Sequence, residues 1–190
     1  MTRVVGGTAG GRRLAVPPAG TRPTSDRARE GLFSTLTALT GGLDGAHVAD
    51  LYAGSGAVGL EALSRGAAHV LLVEKAERAQ RVVRSNVAAL GLPGAQVVGA
   101  PVERLVALPP APPARGPYDV VFLDPPYAVA DAAVAEVLEL LARNGWLADG
   151  AVAAVERETR GGPFTWPPGF LPRRERRYGE GTIWYAEFAE

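Results

Sequence analysis

The chain has 190 residues, 47% of them hydrophobic, and no net charge, which suits one domain with a substantial core and is too little for two full-sized ones. Because it has no cysteine and only two histidines, disulfides, thiolate metal sites, cysteine nucleophiles and a typical zinc site are excluded. No apolar run approaches the ~20 residues of a membrane span, and the N-terminus lacks the hydrophobic stretch of a signal peptide, which favours a cytoplasmic protein.

The chain opens with a predicted hairpin. Two short β-prone segments, residues 3–5 and 13–16, surround four glycines. Residues 21–24 then predict an extended turn, because a proline disfavours helix in the residue before it. We therefore divide the chain into a small hairpin extension, residues 1–24, and a main domain, residues 25–190.

The main domain begins with a helix and continues as alternating strands and helices. Thr24 or Ser25 can cap the first helix, whose apolar residues recur at helical spacing to about Thr40. The predicted strands are residues 47–51, 69–74, 95–99, 118–123 and 151–156. The predicted helices are residues 57–65, 76–90 and 131–143, with a weaker one at 102–108. This alternation is typical of a parallel sheet wound with helices. A proline-rich surface loop, residues 109–113, interrupts it, and residues 173–178 and 182–188 predict a closing hairpin.

A glycine-rich loop follows the first strand of this sheet. Gly54, Gly56 and Gly59 have the G-x-G-x-x-G spacing, which permits a tight turn and close approach of a ligand to the backbone and helix N-terminus. Glu74, at the end of the next strand, can accept hydrogen bonds from both hydroxyls of a ribose. The pattern predicts a nucleoside-containing cofactor, but it also serves NAD and FAD.

Asp50 favours S-adenosylmethionine over a dinucleotide. It lies four residues before Gly54, where its carboxylate can complement the cationic methionine end of that cofactor. A dinucleotide pyrophosphate would instead be repelled by it. The alternative role for Asp50 is a cap at the junction of loop and helix.

The loop after residues 118–123 carries the predicted chemistry. This buried strand ends in Asp124, Pro125, Pro126 and Tyr127, at the edge of the sheet where ligands gather. An exocyclic base amine is a poor nucleophile because its lone pair is delocalised into the ring. The Asp124 carboxylate and the Pro125 carbonyl can hold the amine protons and oppose that planarity, while two prolines restrict the loop. Tyr127 offers a ring on which the base can stack. The alternative is an ordinary turn that closes a strand.

The neutral total charge hides two basic segments. Residues 1–30 and 157–178 each contain six arginines and two acidic residues, a net charge of +4, whereas residues 31–156 carry −5. Clustered arginines can neutralise phosphates, so the pattern indicates a polyanionic partner. The alternative is a solvated surface in a chain that prefers arginine to lysine.

With these residues in place, the sequence resembles the bacterial 16S ribosomal RNA (guanine-N2)-methyltransferase family, the RsmD type that modifies guanine 966 in rRNA numbering. The resemblance covers nearly the whole chain and rests on residues 3–7, 11–14, 22–30, 50–59, 74, 124–127 and 178–179. It implies an α/β, Rossmann-like class I S-adenosylmethionine-dependent methyltransferase fold. Such a fold has a mostly parallel seven-stranded sheet with helices on both faces, a terminal antiparallel strand and a small N-terminal hairpin. It also implies a substrate within the assembling small ribosomal subunit, and we expect a monomer without a metal.

The resemblance extends to the site residues. The implied cofactor-binding residues are Asp50, Tyr52, Gly54, Ser55, Gly56, Gly59, Glu74, Lys75, Val102 and Asp124. The implied catalytic residues are Asp124, Pro125, Pro126 and Tyr127. The implied RNA-binding residues are Arg3, Arg12, Arg22, Thr24, Arg27 and Arg29. For the arginines, the alternative is to support the hairpin through ion pairs with Asp26 and Glu30. We hypothesise that the two basic segments bracket the Asp124 loop and hold RNA across it.

One segment departs from the family pattern. Residues 99–102 lack the acidic residue that usually lies near the adenine after the third strand. A backbone contact from Val102 or the side chain of Glu103 can replace it.

Two other kinds of function use similar features. Methylation of an adenine N6 in DNA or RNA, or of a protein glutamine amide, relies on the same loop chemistry, although the protein enzymes typically begin the loop with Asn rather than Asp124. A non-catalytic dinucleotide-binding module would bind NAD and tolerate loss of Asp124.

Overall fold

The computed structural model describes residues 2–17 and 25–189. The predicted N-terminal hairpin is present as β1 (Thr2–Arg3) paired antiparallel with β2 (Arg13–Leu14). Helix α1 (Asp26–Thr40) follows, and the Ser25 hydroxyl caps it by accepting a hydrogen bond from the Ala28 N–H at 3.1 Å. Thr24, the other predicted cap, lies outside the described residues.

The rest of the chain forms one sheet with helices packed on it. In chain order its elements are β3 (His47–Asp50), α2 (Ala57–Ser64), β4 (His69–Val73), α3 (Glu77–Leu90), β5 (Ala95–Val98), α4 (Val102–Val106), β6 (Tyr118–Leu123), α5 (Asp131–Arg143), β7 (Leu147–Glu158), β8 (Phe170–Tyr178) and β9 (Gly181–Phe188). The strand order is β5-β4-β3-β6-β7-β9-β8. The first five strands in this order are parallel, and β9 runs antiparallel between β7 and β8. The predicted fold class is therefore confirmed.

The topology positions the site. Strand β3 pairs with β4 on one side and with β6 on the other, so the chain reverses its winding direction there. At such a point the loops after the neighbouring strands separate and leave a crevice at the carboxyl edge of the sheet. The loops that follow β3 and β6 are the two that the sequence singled out.

Each face of the sheet has its own apolar core. Helices α1, α2 and α3 cover one face, and α4 and α5 cover the other. The hairpin shares the first core, because Val4 and Leu14 are buried within it. Gly7 packs so closely on α2 that an added Cβ would lie 1.9 Å from the Ser64 carbonyl oxygen. The predicted boundary after residue 24 falls in a segment outside the described residues.

Two strands begin three or more residues earlier than predicted. Strand β7 begins at Leu147, because a register shift opposite Tyr118 accommodates the exposed Asp149 and Gly150, which resemble a turn in the sequence. Strand β8 begins at Phe170 and includes Pro172, which an edge strand tolerates next to a bulge. The proline-rich segment 109–113 is a loop, as predicted. Across residues 2–17 and 25–189, no helix is both long enough and apolar enough to cross a membrane.

Candidate active site

The carboxyl edge of the sheet holds a cleft of about 1310 Å³. Ligand sites commonly occupy ~300–1,000 Å³, so this cleft has room for a nucleoside cofactor and part of a second molecule. Eight of the ten predicted cofactor residues line it: Asp50, Tyr52, Gly54, Ser55, Glu74, Lys75, Val102 and Asp124. The predicted catalytic residues Pro125, Pro126 and Tyr127 line the same cleft. The two predicted loops therefore face one space.

The three glycines of the first loop have different roles. Gly54 and Gly56 have φ angles of 56° and 78°, a left-handed conformation that glycine adopts without strain. Gly59 lies inside α2, where an added Cβ would come within 2.5 Å of a Leu72 methyl group and 2.7 Å of Val70. The first two glycines shape the turn, and the third allows the helix to approach the sheet closely. Gly56 and Gly59 do not line the cleft, and they affect its shape through the turn and through the packing of α2 on the sheet.

Asp50 is buried at the base of the cleft. Its Oδ2 accepts a hydrogen bond from the Gly59 N–H at 3.0 Å, so it caps the first turn of α2. Burial raises the pKa of Asp50 to about 7, the Gly59 bond opposes this rise, and the nearby Asp124 and Glu74 carboxylates add to it. The carboxyl group therefore changes charge close to neutral pH. A cation beside it would favour the ionised form, and its predicted contact with the cofactor stays a prediction.

Glu74 holds the glycine loop in place. Its Oε2 accepts from the Gly54 N–H at 3.0 Å, and its Oε1 accepts from the Ala76 N–H at 2.8 Å. Each carboxylate oxygen can accept more than one hydrogen bond, so both can still accept from hydroxyl groups in the cleft. The carboxylate is therefore held in place at the cleft, and its contact with a ribose stays a prediction.

The predicted catalytic loop, residues 124–127, is partly buried and partly exposed. Asp124 is half-buried, Pro125 is buried, and Tyr127 has 38% of its surface exposed. A turn closes behind them, in which the Val129 N–H donates to the Pro126 carbonyl at 2.9 Å. An acceptor-rich wall beside an accessible aromatic ring suits a flat group that carries an NH2.

The closing hairpin forms the far wall of the cleft, which the sequence did not predict. An added Cβ at Gly181 would lie 2.7 Å from the Glu156 carboxylate and 3.2 Å from the Tyr127 hydroxyl oxygen, so the hairpin touches the catalytic loop. On the other side of the turn, Tyr178 packs against Gly31 of α1, where a Cβ would fall 1.8 Å from the phenol oxygen. The glycines at positions 31 and 181 were the sequence features that could have indicated these close contacts.

Val102 and Glu103, the two residues predicted to contact the adenine in place of the family's acidic residue, both lie at the start of α4. Val102 is buried at the first position of α4, and Glu103 is exposed one residue later. Both line the cleft. Within the described residues, no cluster of His, Cys, Asp or Glu could hold a metal ion.

The structure corrects the prediction that Arg29 contacts RNA. Its side chain has no solvent exposure and lies in an ion-paired network with Asp26 at 2.7 Å and Glu61 at 3.4 Å. It also donates to the Thr2 hydroxyl at 2.9 Å and to the Arg3 carbonyl. A guanidinium buried in this way joins α1, α2 and the hairpin, and it cannot reach a phosphate.

The other predicted RNA residues differ in how free they are. Arg12 donates to the carbonyls of Leu90 and Ala89 at the end of α3. Arg3 is 61% exposed and pairs with Asp26 at 3.0 Å. Arg27 is exposed and lines the cleft. The remaining two predicted residues, Arg22 and Thr24, lie outside the described residues.

Strand β8 presents a second group of arginines at the edge of the sheet. Arg173 pairs with Glu187 at 2.8 Å. Arg174, Arg176 and Arg177 are exposed, and none of them forms an ion pair with any residue that the structure describes. Arg177 lines the cleft from the side opposite the glycine loop. We call Arg174, Arg176 and Arg177 the β8 arginines.

Comparisons with known proteins agree with this architecture. A family model described as "Conserved hypothetical protein 95" matches residues 2–187. The chain is 39% identical over 180 residues to the ribosomal RNA small subunit methyltransferase D of Escherichia coli K12, covering 94% of this chain and 85% of that protein. It is 33% identical over 178 residues to the enzyme of the same name from Haemophilus influenzae, covering 93% and 89%.

The fold agrees as well. The solved structure of the Escherichia coli protein yhhF superposes with a TM-score of 0.85 and 37% identity, covering 98% of this chain and 97% of that one. The similarity extends over the hairpin, the sheet and the cleft together. The chain therefore belongs to the ribosomal RNA small subunit methyltransferase D family.

Proposed function

We propose that this protein transfers a methyl group from S-adenosylmethionine to the exocyclic N2 amine of a guanine in 16S ribosomal RNA, within the assembling small subunit. The observation that carries the proposal is the shared cleft, in which the glycine loop, Glu74 and residues 124–127 face one another. The names of the relatives support ribosomal RNA as the substrate. A cytoplasmic monomer stays our expectation.

The residues of the cleft fit the cofactor. Glu74 would accept hydrogen bonds from the ribose, and the backbone around Gly54 would contact the nucleoside. Ionised Asp50 would complement the positive charge of the methionine end. Val102 or Glu103 would hold the adenine. When bound, S-adenosylmethionine supplies an electrophilic methyl group on a cationic sulfur.

The catalytic loop would act on the base. The Asp124 carboxylate and the Pro125 carbonyl would accept hydrogen bonds from the amine and orient its lone pair toward the methyl carbon, with Tyr127 stacked on the ring. On methylation the amine must lose one N–H proton, which the Asp124 carboxylate or water would take up. Rigid positioning by two prolines leaves little reorganisation for the reaction itself.

The two basic segments would hold the RNA backbone across this cleft. Arg27 from the first segment and Arg177 from the second both line it. The other β8 arginines extend the positive surface along the sheet edge. Arg3 and Arg12 stay predicted contacts, although both already bond to the protein. Phosphate contacts of this kind fix orientation and carry no sequence information, so base selection falls to the cleft.

The direct test is transfer of an isotope-labelled methyl group to small subunits, and to naked 16S RNA, that lack the modification. Nucleoside mass spectrometry of the product should give N2-methylguanosine, and Asp124→Ala should lose at least ~100-fold in rate while still binding S-adenosylhomocysteine. N6-methyladenosine, or methylation of protein glutamine, would overturn the substrate. Binding of NAD in preference to S-adenosylhomocysteine, with no transfer, would overturn the enzyme.

Asp50 provides a test of the cofactor site by pH. Because its pKa is raised to about 7, raising the pH toward that value ionises the group, and a cationic ligand binds the ionised form more tightly. Affinity for S-adenosylmethionine should therefore rise from ~pH 6 to ~pH 8 and level off above ~pH 8, with proton release on binding. Calorimetry of Asp50→Asn should show weaker binding and a flatter profile. An unchanged profile in that variant would contradict the assignment of the titration to Asp50.

A further inference from the structure

Arg157 lies beneath the catalytic loop and has no role in the chemistry described above. It is near the carboxyl end of β7, and only 6% of its surface is exposed. Its Nε donates to the Asp131 carboxylate at 2.6 Å, and an Nη donates to the Val129 carbonyl. A buried guanidinium is costly to desolvate, and the two acceptors offset that cost. Together the two contacts tie Arg157 to the loop between β6 and α5.

This link reaches into the loop between β6 and α5. Val129 accepts from Arg157 through its carbonyl and donates through its N–H to the Pro126 carbonyl at 2.9 Å. Pro126 and Tyr127 are adjacent, so one chain of hydrogen bonds joins the β7 strand to the catalytic loop. Asp131 begins α5, and its ion pair with Arg157 fixes the far end of the same loop.

Arg157 also lies near the cofactor side of the cleft. Burial raises the pKa of Tyr52 to about 12, Glu103 adds to that rise, and the Arg157 charge opposes it. The guanidinium charge therefore reaches Tyr52 electrostatically, whereas its direct contacts are to Val129 and Asp131 in the loop that carries Tyr127. Its Nη1 is buried without a hydrogen-bond partner among the described residues.

We propose that Arg157 is a positioning residue, which sets the distance between the catalytic loop and the cofactor wall by tying Val129 and Asp131 to β7. The proposal rests on the methyl transfer proposed above. Lysine at this position could reach one acceptor but not both, because its ammonium lacks the planar fork of the guanidinium. A small displacement of the loop is expected to slow the reaction strongly, since misplacement by ~1 Å can cost about 100-fold in rate.

The test compares Arg157→Gln and Arg157→Lys with Arg143→Gln. The control removes the same charge from an exposed ion pair on α5, where Arg143 lies 4.0 Å from Glu139. Arg157→Gln should lower kcat by roughly 10- to 100-fold and change S-adenosylhomocysteine affinity by less than about threefold, with Arg157→Lys in between. Amide hydrogen exchange in residues 124–130 should speed up in both Arg157 variants and not in the control. A lower Tm with full kcat, measured well below that Tm, would overturn the proposal.

Asp131→Asn keeps the test decisive if Arg157→Gln does not fold. It retains the size of the side chain and removes the charge that Nε meets, so exchange in residues 124–130 should rise and kcat should fall by a smaller factor. Unchanged exchange and kcat in that variant would also overturn the proposal. The exchange readout needs no RNA, so a wild-type protein that methylates no ribosomal RNA would refute the proposed function without deciding the role of Arg157.

Discussion

The two arginine-rich segments carry the same net charge, but they differ in how much of it the fold engages; Arg157 and Arg173 of the second segment are ion-paired, and its β8 arginines are not paired with any residue that the structure describes. In the N-terminal segment, Arg29 is buried, and Arg3 and Arg12 are bonded to acidic groups or helix carbonyls. In the C-terminal segment, the β8 arginines lie on an edge strand in water. The difference comes from what surrounds each segment, because Asp26, Glu61 and the end of α3 lie beside the hairpin. An arginine count therefore indicates a nucleic-acid surface only where the fold leaves the guanidinium groups free.

The largest effect should come from Arg29. Arg29→Ala would leave Glu61 buried with Arg65 as its remaining ion-pair partner and would remove contacts to Thr2 and Asp26. We expect unfolding free energy to fall by about 3 kcal/mol, because a buried ion-pair network loses its central cation. Urea denaturation measures this. Arg84→Ala, on the exposed side of α3, should change it by less than ~0.5 kcal/mol. Equal effects would contradict the structural role of Arg29.

The second effect should appear in RNA binding and not in stability. Replacing the three β8 arginines with Gln should weaken RNA binding by roughly 10- to 100-fold near 0.1 M salt and make the slope of log affinity against log salt shallower by about 2. The control is Arg78, Arg81 and Arg84 replaced together on α3, which changes the net charge equally and lies outside the cleft lining. Equal changes in slope for the two triple variants would mean that total charge, and not the β8 surface, determines binding.

The smallest effect should come from Arg3. Its ion pair with Asp26 is exposed, so Arg3→Gln should lower stability by less than ~1 kcal/mol. Because Asp26 already offsets its charge, the change in salt slope should be less than a third of that for the β8 triple variant. Titration of fluorescent RNA over a range of salt concentrations gives the salt slopes of Arg3→Gln and of the β8 triple variant, which can then be compared directly. A slope change as large as that of the triple variant would place Arg3 at the centre of the RNA surface.

Local sequence patterns predicted the sheet and the location of the two loops. Alternating apolar runs and helical stretches are local signals. Gly54 and Gly56 follow the end of β3, and Asp124 directly follows the end of β6, so their positions could be predicted from the strand boundaries. The hairpin of β8 and β9 was predicted, but the wall formed by Gly181 and Tyr178 also depends on β9 pairing with β7, a contact between separate segments that no local pattern encodes. The burial of Arg29 was missed for the same reason, since Glu61 is 32 residues away.

The most direct measurement is a crystal structure with S-adenosylhomocysteine bound. Our account predicts the ribose hydroxyls at Glu74, the amino acid end near Asp50, and the sulfur facing an open space bounded by Asp124 and Tyr127. The space should admit a flat base with its amine ~3–3.5 Å from the position of the transferred methyl carbon. A sulfur that faces away from residues 124–127, with the Asp124 carboxylate turned into the protein interior, would contradict it.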